Sequence, residues 1–174
     1  MRIAIIGPTA IETVAAAGGW SAEECRRLAA QAGEELAARG HELVVVPDRG
    51  VGLIAAEAYR RAGGPKVIGL IPRGGSNLQA RIAECERHRD LCDVVVDDLT
   101  WDEQHPRLCQ LADALLCIGL SCGTIAEIAW TKWTGYKPVF VIRELVSAIP
   151  PEIMAETNVQ LVGGLEEVWD RISG

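Results

Sequence analysis

The chain has 174 residues, 49% of them apolar and 24% charged, with a formal net charge of −7. At roughly 150 residues per domain this length reads as one domain, able to bury roughly 70% of the surface its unfolded chain exposes. The composition excludes an intrinsically disordered chain, and an acidic balance without any markedly basic stretch argues against nucleic acid or an anionic membrane surface as partner.

The longest apolar runs, such as residues 114–120, fall far short of a membrane span. Arg2 is the only basic residue before the first apolar run, so no signal peptide is expected and the cytoplasm is the expected compartment. The six cysteines (Cys25, Cys85, Cys92, Cys109, Cys117, Cys122) include no Cys-x-x-Cys pair, and His41, His88 and His105 do not fall at zinc-ligand spacing with them. Reduced thiols, most of them buried, are expected, with neither a disulfide framework nor a metal site.

Along the chain, short apolar β-rich runs alternate with longer helical stretches. Residues 2–6 read as a strand stopped by Gly7-Pro8, and a loop of small residues follows. Ser21-x-x-Glu24 is a capping-box signature, and Cys25, Leu28, Ala32 and Leu36 continue at helical spacing until Gly40 ends the helix. Residues 43–46 form a second strand, and Gly50-Val51-Gly52 opens a helix closed by Gly63-Gly64. Residues 66–71 are a third strand, 78–88 a helix, 93–96 a fourth strand and 106–111 a short helix. A fifth strand at 114–118, a helix at 125–133, a sixth strand at 138–142, a weak seventh at 159–162 and a helix at 165–172 complete the pattern.

Strands that are apolar throughout are expected where both faces of a sheet are covered. Alternation with helices then gives an α/β fold: a doubly wound, Rossmann-like three-layer sandwich around a mostly parallel sheet of six or seven strands. Neither a repeat nor a linker interrupts the pattern.

In such sheets ligands bind outside the carboxyl ends of the strands, where strand order reverses. The candidate loops are residues 7–10, 48–52, 97–104 and 119–124. Those around Gly50-x-Gly52 and Gly119–Thr124 are glycine-rich and each opens a helix. Exposed backbone N–H groups and the positive helix end suit such places to phosphate, and glycine lets the anion approach the backbone. Gly7, Pro8 and Thr9 join them as candidate contacts at the end of the first strand.

The run Gly119-Leu120-Ser121-Cys122-Gly123-Thr124-Ile125-Ala126-Glu127, with Ala112-Asp113-Ala114 before it and Gly135-Tyr136-Lys137-Pro138-Val139 after it, resembles the LOG-like Rossmann proteins. That SLOG group, formerly labelled "possible lysine decarboxylase", includes the molybdenum-cofactor carriers. Its hallmark is a strand ending in Gly-Gly-x-Gly-Thr-x-x-Glu. The segment from Gly50 to Gly64 and the following Val67-Ile68-Gly69-Leu70-Ile71-Pro72 match the family's second helix and third strand.

The resemblance implies two activities. One is a carrier that binds a nucleotide or another phosphorylated cofactor, a nucleotide monophosphate or molybdopterin-type ligand, without robust catalysis. The alternative is a nucleoside 5′-monophosphate phosphoribohydrolase in which Glu127, the motif glutamate, acts at the ribose. Members with that activity carry an arginine nine residues before the motif aspartate; here Gln104 stands at that place. Leu120 and Ser121 replace two glycines of the hallmark, and Pro47-Asp48 stands where the second strand of the family ends in glycines. Binding is therefore expected to survive better than turnover. No lysine suited to pyridoxal phosphate is evident.

Several residues carry two readings. Thr124-x-x-Glu127 is a capping box as well as a candidate ligand and catalytic pair. Cys122 is either a thiol activated by a helix start or a small space-filler. Asp97, Asp98, Asp102 and Glu103 form either a solvated loop or a metal or ribose contact. Arg49 is expected to meet the phosphate as a forked donor, Arg73 less so, and Arg107 is expected to face elsewhere. Trp130 and Trp133 share a helix face and are expected at a subunit contact, giving a homodimer or larger even oligomer.

Overall fold

The computed structural model describes residues 1–75 and 78–173. Seven strands lie parallel in one sheet: β1 (Arg2–Ile6), β2 (Glu42–Val45), β3 (Val67–Leu70), β4 (Val94–Val96), β5 (Ala114–Cys117), β6 (Val139–Ile142) and β7 (Val159–Val162). Their order is β4-β3-β2-β1-β5-β6-β7, so the chain winds outward from β1 to one edge and then from β5 to the other. The reversal falls between β1 and β5, which pair through Ile3 with Ala114 to Ile6 with Cys117.

Among the described residues eight α-helices flank the sheet, the last of them following β7: α1 (Ile11–Gly18), α2 (Ala22–Ala38), α3 (Val51–Arg61), α4 (Gln79–Arg87), α5 (Gln104–Leu111), α6 (Cys122–Trp130), α7 (Pro151–Glu156) and α8 (Leu165–Ser173). The expected doubly wound α/β sandwich is present, with every strand pair parallel.

The pleat sorts the apolar strand residues into two cores. Ile3, Ile5, Leu43, Val45 and Leu116 point toward α2, α3 and α8, packing on Leu28, Leu36, Ala55, Tyr59 and Trp169. Ala4, Ile6, Val44, Leu115 and Cys117 point the other way, onto Leu108, Cys109 and Ile128 of α5 and α6. This explains why the strands do not alternate in polarity: both faces are covered. Each fully buried Ile or Leu contributes about 1.5–3 kcal/mol.

Three expectations change. The loop of small residues after β1 contains helix α1, whose buried side is only Ile11 and Ala15; Gly19 closes it in the left-handed region at φ 71°. Alanines carry too little apolar contrast to mark a helical stripe, although they are strong helix formers. Helix α7, begun by Pro151 after Pro150, replaces an expected loop. Helix α6 begins at Cys122, three residues before the expected start, and gives way at Thr131–Trp133 to a 3₁₀ turn. Among the described residues no helix is long and apolar enough to cross a membrane.

Candidate functional site

Parallel strands with right-handed crossovers put every strand's carboxyl end on one edge. There the loops after β1, β2, β4 and β5 converge on a cleft of about 230 Å³. The loops after β1 and β5 touch directly: the Ile118 N–H donates to the Ile6 carbonyl at 2.9 Å. A Cβ on Gly7 would lie 2.5 Å from the Ile118 carbonyl oxygen, so only glycine lets the two strand ends meet. Gly50 adopts φ 66° and runs against the backbone of Pro8 and Thr9, while the Val51 N–H donates to the Pro8 carbonyl at 3.1 Å. That contact ties the start of α3 to the loop after β1.

Of the predicted binding residues, Gly7, Thr9, Arg49, Gly52, Ser121, Gly123 and Thr124 line the cleft, as does Glu127. Pro8, Gly50 and Gly119 do not; they shape the turns beneath it. Cys122 is exposed and also lies outside the lining, and the other cysteines are free thiols at least half-buried. Burial pushes the Cys25, Cys85 and Cys109 thiols up to about 12.

Helix α6 is capped by Ser121, not by Thr124. The Thr124 N–H donates to Ser121 Oγ at 3.3 Å, and the Ser121 N–H donates to Thr124 Oγ1 at 2.5 Å. The Thr124 hydroxyl also donates to the Ser121 carbonyl at 2.9 Å, so its polar capacity is committed to the cap. The N–H groups of Cys122 and Gly123 make no hydrogen bond to another described residue, and Gly123 faces the cleft. The same holds for the Gly52 N–H at the start of α3. Orphan donors and positive helix ends thus meet at one place.

Because Ser121 and Thr124 complete the cap between themselves, Glu127 is released from the predicted capping box. It is 7% exposed, and its Oε1 lies 3.1 Å from His105 Nδ1. Burial raises the Glu127 pKa, His105 opposes that shift, and the charge of Asp48 adds to it. Asp48 is also raised by burial, countered by Arg81, whose Nε donates to Asp48 Oδ2 at 3.0 Å. The Arg81 guanidinium stacks 5.4 Å from the centre of the Trp101 ring, which closes one wall.

Arg81, His105, Asp48 and Trp101 were not assigned to the site from the sequence. Arg81 comes from α4, a helix with no motif, and only its docking beside β2 brings the side chain to Asp48. His105 could have been found from its place beside Gln104, one residue along the first turn of α5. Arg107, by contrast, reaches Asp98 at 3.3 Å away from the cleft, and Arg73 pairs with Asp97. Glu103 closes a capping box with Thr100, donated to at 2.6 Å by the Thr100 N–H. The acidic segment is therefore largely held by salt bridges and a cap; among the described residues no group of His, Cys, Asp and Glu is placed to hold a metal ion.

The profile of the SLOG cluster4 family matches residues 1–169. The chain belongs to the SLOG cluster4 family. No curated protein matches it. Among solved structures, this SLOG protein resembles the molybdenum cofactor binding protein of Rippkaea orientalis, with a TM-score of 0.71 at 20% identity, covering 99% of this chain and 94% of that one. It also resembles the molybdenum cofactor carrier protein of Chlamydomonas reinhardtii (TM-score 0.65, 20% identity, 99% and 95% covered). A third similar fold is DNA processing protein A of Helicobacter pylori, described as binding single-stranded DNA (TM-score 0.67, 16% identity, 99% and 80% covered). At these identities the likeness is one of fold.

Proposed function

We propose that the cleft binds a phosphorylated small molecule, a nucleoside monophosphate or a molybdopterin-type ligand, and holds it without rapid turnover. The observation that carries this reading is the convergence of unpaired N–H groups at the starts of α3 and α6 on one cleft, with Arg49 and Arg81 on its walls. Helix starts bind phosphate without further machinery. The two similar folds described as binding or carrying molybdenum cofactor agree with a small-molecule role. A net charge of −7 is unsuited to the phosphate backbone of a nucleic acid, which favours this reading over that of the DNA-processing fold.

Turnover asks for more than positioning. Gln104 supplies no charge, and the Arg81 guanidinium is engaged with Asp48. Losing one preorganised electrostatic contact commonly costs about 10²–10³ in rate. The buried Glu127 with His105 is the one feature that favours the phosphoribohydrolase reading. Incubation with AMP, followed by titration calorimetry and chromatography for free adenine, separates the two. Binding without base release is expected; robust release that disappears in Glu127→Ala overturns the carrier reading, and absence of binding by any phosphorylated probe overturns both. An even oligomer joined through Trp130 and Trp133 belongs to the same proposal.

A further inference from the structure

Gln104 lies in the first turn of α5, is 3% exposed and lines the cleft. Its side-chain amide makes no hydrogen bond to another described residue. A buried amide brings two donors and an acceptor, and groups of this kind are almost always paired in folded proteins. The neighbouring positions have evident tasks: Glu103 closes the Thr100 cap, His105 meets Glu127, and Leu108 packs in the core. Gln104 has none among the described residues, and its amide opens on the cleft. Across the same cleft, Oε1 of Glu127 is held by His105, while its Oε2 makes no hydrogen bond to another described residue. The cleft therefore has unpaired backbone donors at one part of its lining and an unpaired amide and carboxylate oxygen at another.

Resting on the phosphate-binding reading, we propose that Gln104 is a specificity-determining contact, completed by an uncharged group of the ligand that presents a hydrogen-bond donor beside an acceptor. An amide donates and accepts at once but adds no charge, so it discriminates among neutral groups and contributes nothing to holding the phosphate. Such a group is available both on the edge of a nucleobase and on paired sugar hydroxyls. Among the described residues the amide holds no contact of the fold, so an apolar side chain of similar size in its place removes a ligand contact and leaves the packing as it is.

The test is Gln104→Leu, close in size and without the amide, measured by titration calorimetry against AMP, ribose 5-phosphate and inorganic phosphate, with thermal unfolding of the empty protein alongside. The empty variant is expected to unfold at the same temperature as wild type or higher. Its affinity for inorganic phosphate is expected to stay unchanged, while that for AMP falls about tenfold or more. An equal fall for ribose 5-phosphate assigns the amide to the sugar; a fall for AMP alone assigns it to the base edge.

Equal affinity of wild type and variant for AMP overturns the inference, as does an equal loss for all three probes. A variant that melts at lower temperature or fails to fold also overturns it, because the amide then serves the fold. That last readout holds even if no probe binds, which would refute the phosphate-binding reading instead.

Discussion

Gly123→Asp tests the anion cradle with little disturbance to the fold. A Cβ at Gly123 would find His105 Cε1 at 3.5 Å and Ser121 Oγ at 3.9 Å, ordinary contact distances, and the position needs no left-handed backbone. It is the second residue of α6, where a carboxylate favours the helix by about 0.3–1 kcal/mol, while the intrinsic helix propensity of aspartate improves little on that of glycine. The variant should therefore melt about 1–4 °C higher than wild type. Its carboxylate would occupy the space beside the unpaired N–H groups where the phosphate is expected. Two unit charges 4 Å apart repel by about 4 kcal/mol at an effective dielectric of about 20, close to a thousandfold in affinity.

The assays are thermal unfolding and titration calorimetry with AMP. Loss of binding in a protein of equal or greater stability is the expected result. A variant that binds AMP as tightly as wild type would show that the phosphate does not sit at the start of α6, and one that unfolds would refute the packing argument. Thr124→Val is a poorer probe, because the Thr124 hydroxyl belongs to the cap and its loss would fray the helix start.

Glu127→Gln should be stabilising near neutral pH. Burial raises the folded-state pKa of Glu127, so its favourable contribution is full below the ordinary carboxylate range and is lost as pH rises through the raised value. Urea unfolding should show the variant ahead at about pH 7.5 and level with wild type at about pH 4; a gap independent of pH refutes this. Arg81→Ala should cost about 3–5 kcal/mol by leaving the Asp48 carboxylate buried without its partner, and adding Asp48→Asn should recover most of that loss in chemical denaturation. Trp133, 66% exposed and packed edge to face on Trp130 at 5.6 Å between ring centres, should lie at a subunit contact. Light scattering is expected to give a dimer that Trp133→Lys converts to monomer, and a wild-type monomer at micromolar concentration would refute it.

How the chain divides into strands and helices was legible because local physics fixes it. Runs such as Ile3–Ile6 and Ala114–Cys117 have no polar face and call for cover on both sides, while Ser21 caps α2, with the Glu24 N–H donating to its Oγ at 3.1 Å; the Glu24 carboxylate pairs with Arg27 instead of closing the expected capping box. The four candidate loops were legible for the same reason, since a parallel sheet leaves only one edge for them. What local pattern misjudged was which of two equivalent polar residues would cap α6. Ser121 and Thr124 each fit that role, and the choice moved the helix start by three residues and freed Glu127.

The remaining features of the site depend on distances in space, not in sequence. Arg81 stands 33 residues from Asp48, and His105 stands 22 from Glu127. Neither pair has a spacing that helix or strand geometry could signal. Burial then decides the chemistry, because the same carboxylates in an exposed loop would keep their ordinary acidity. The sequence by itself determined the winding of the sheet and the edge where its loops gather. Only the packing of α4, α5 and α6 around that edge decided which charges face one another and which polar groups were left without a partner.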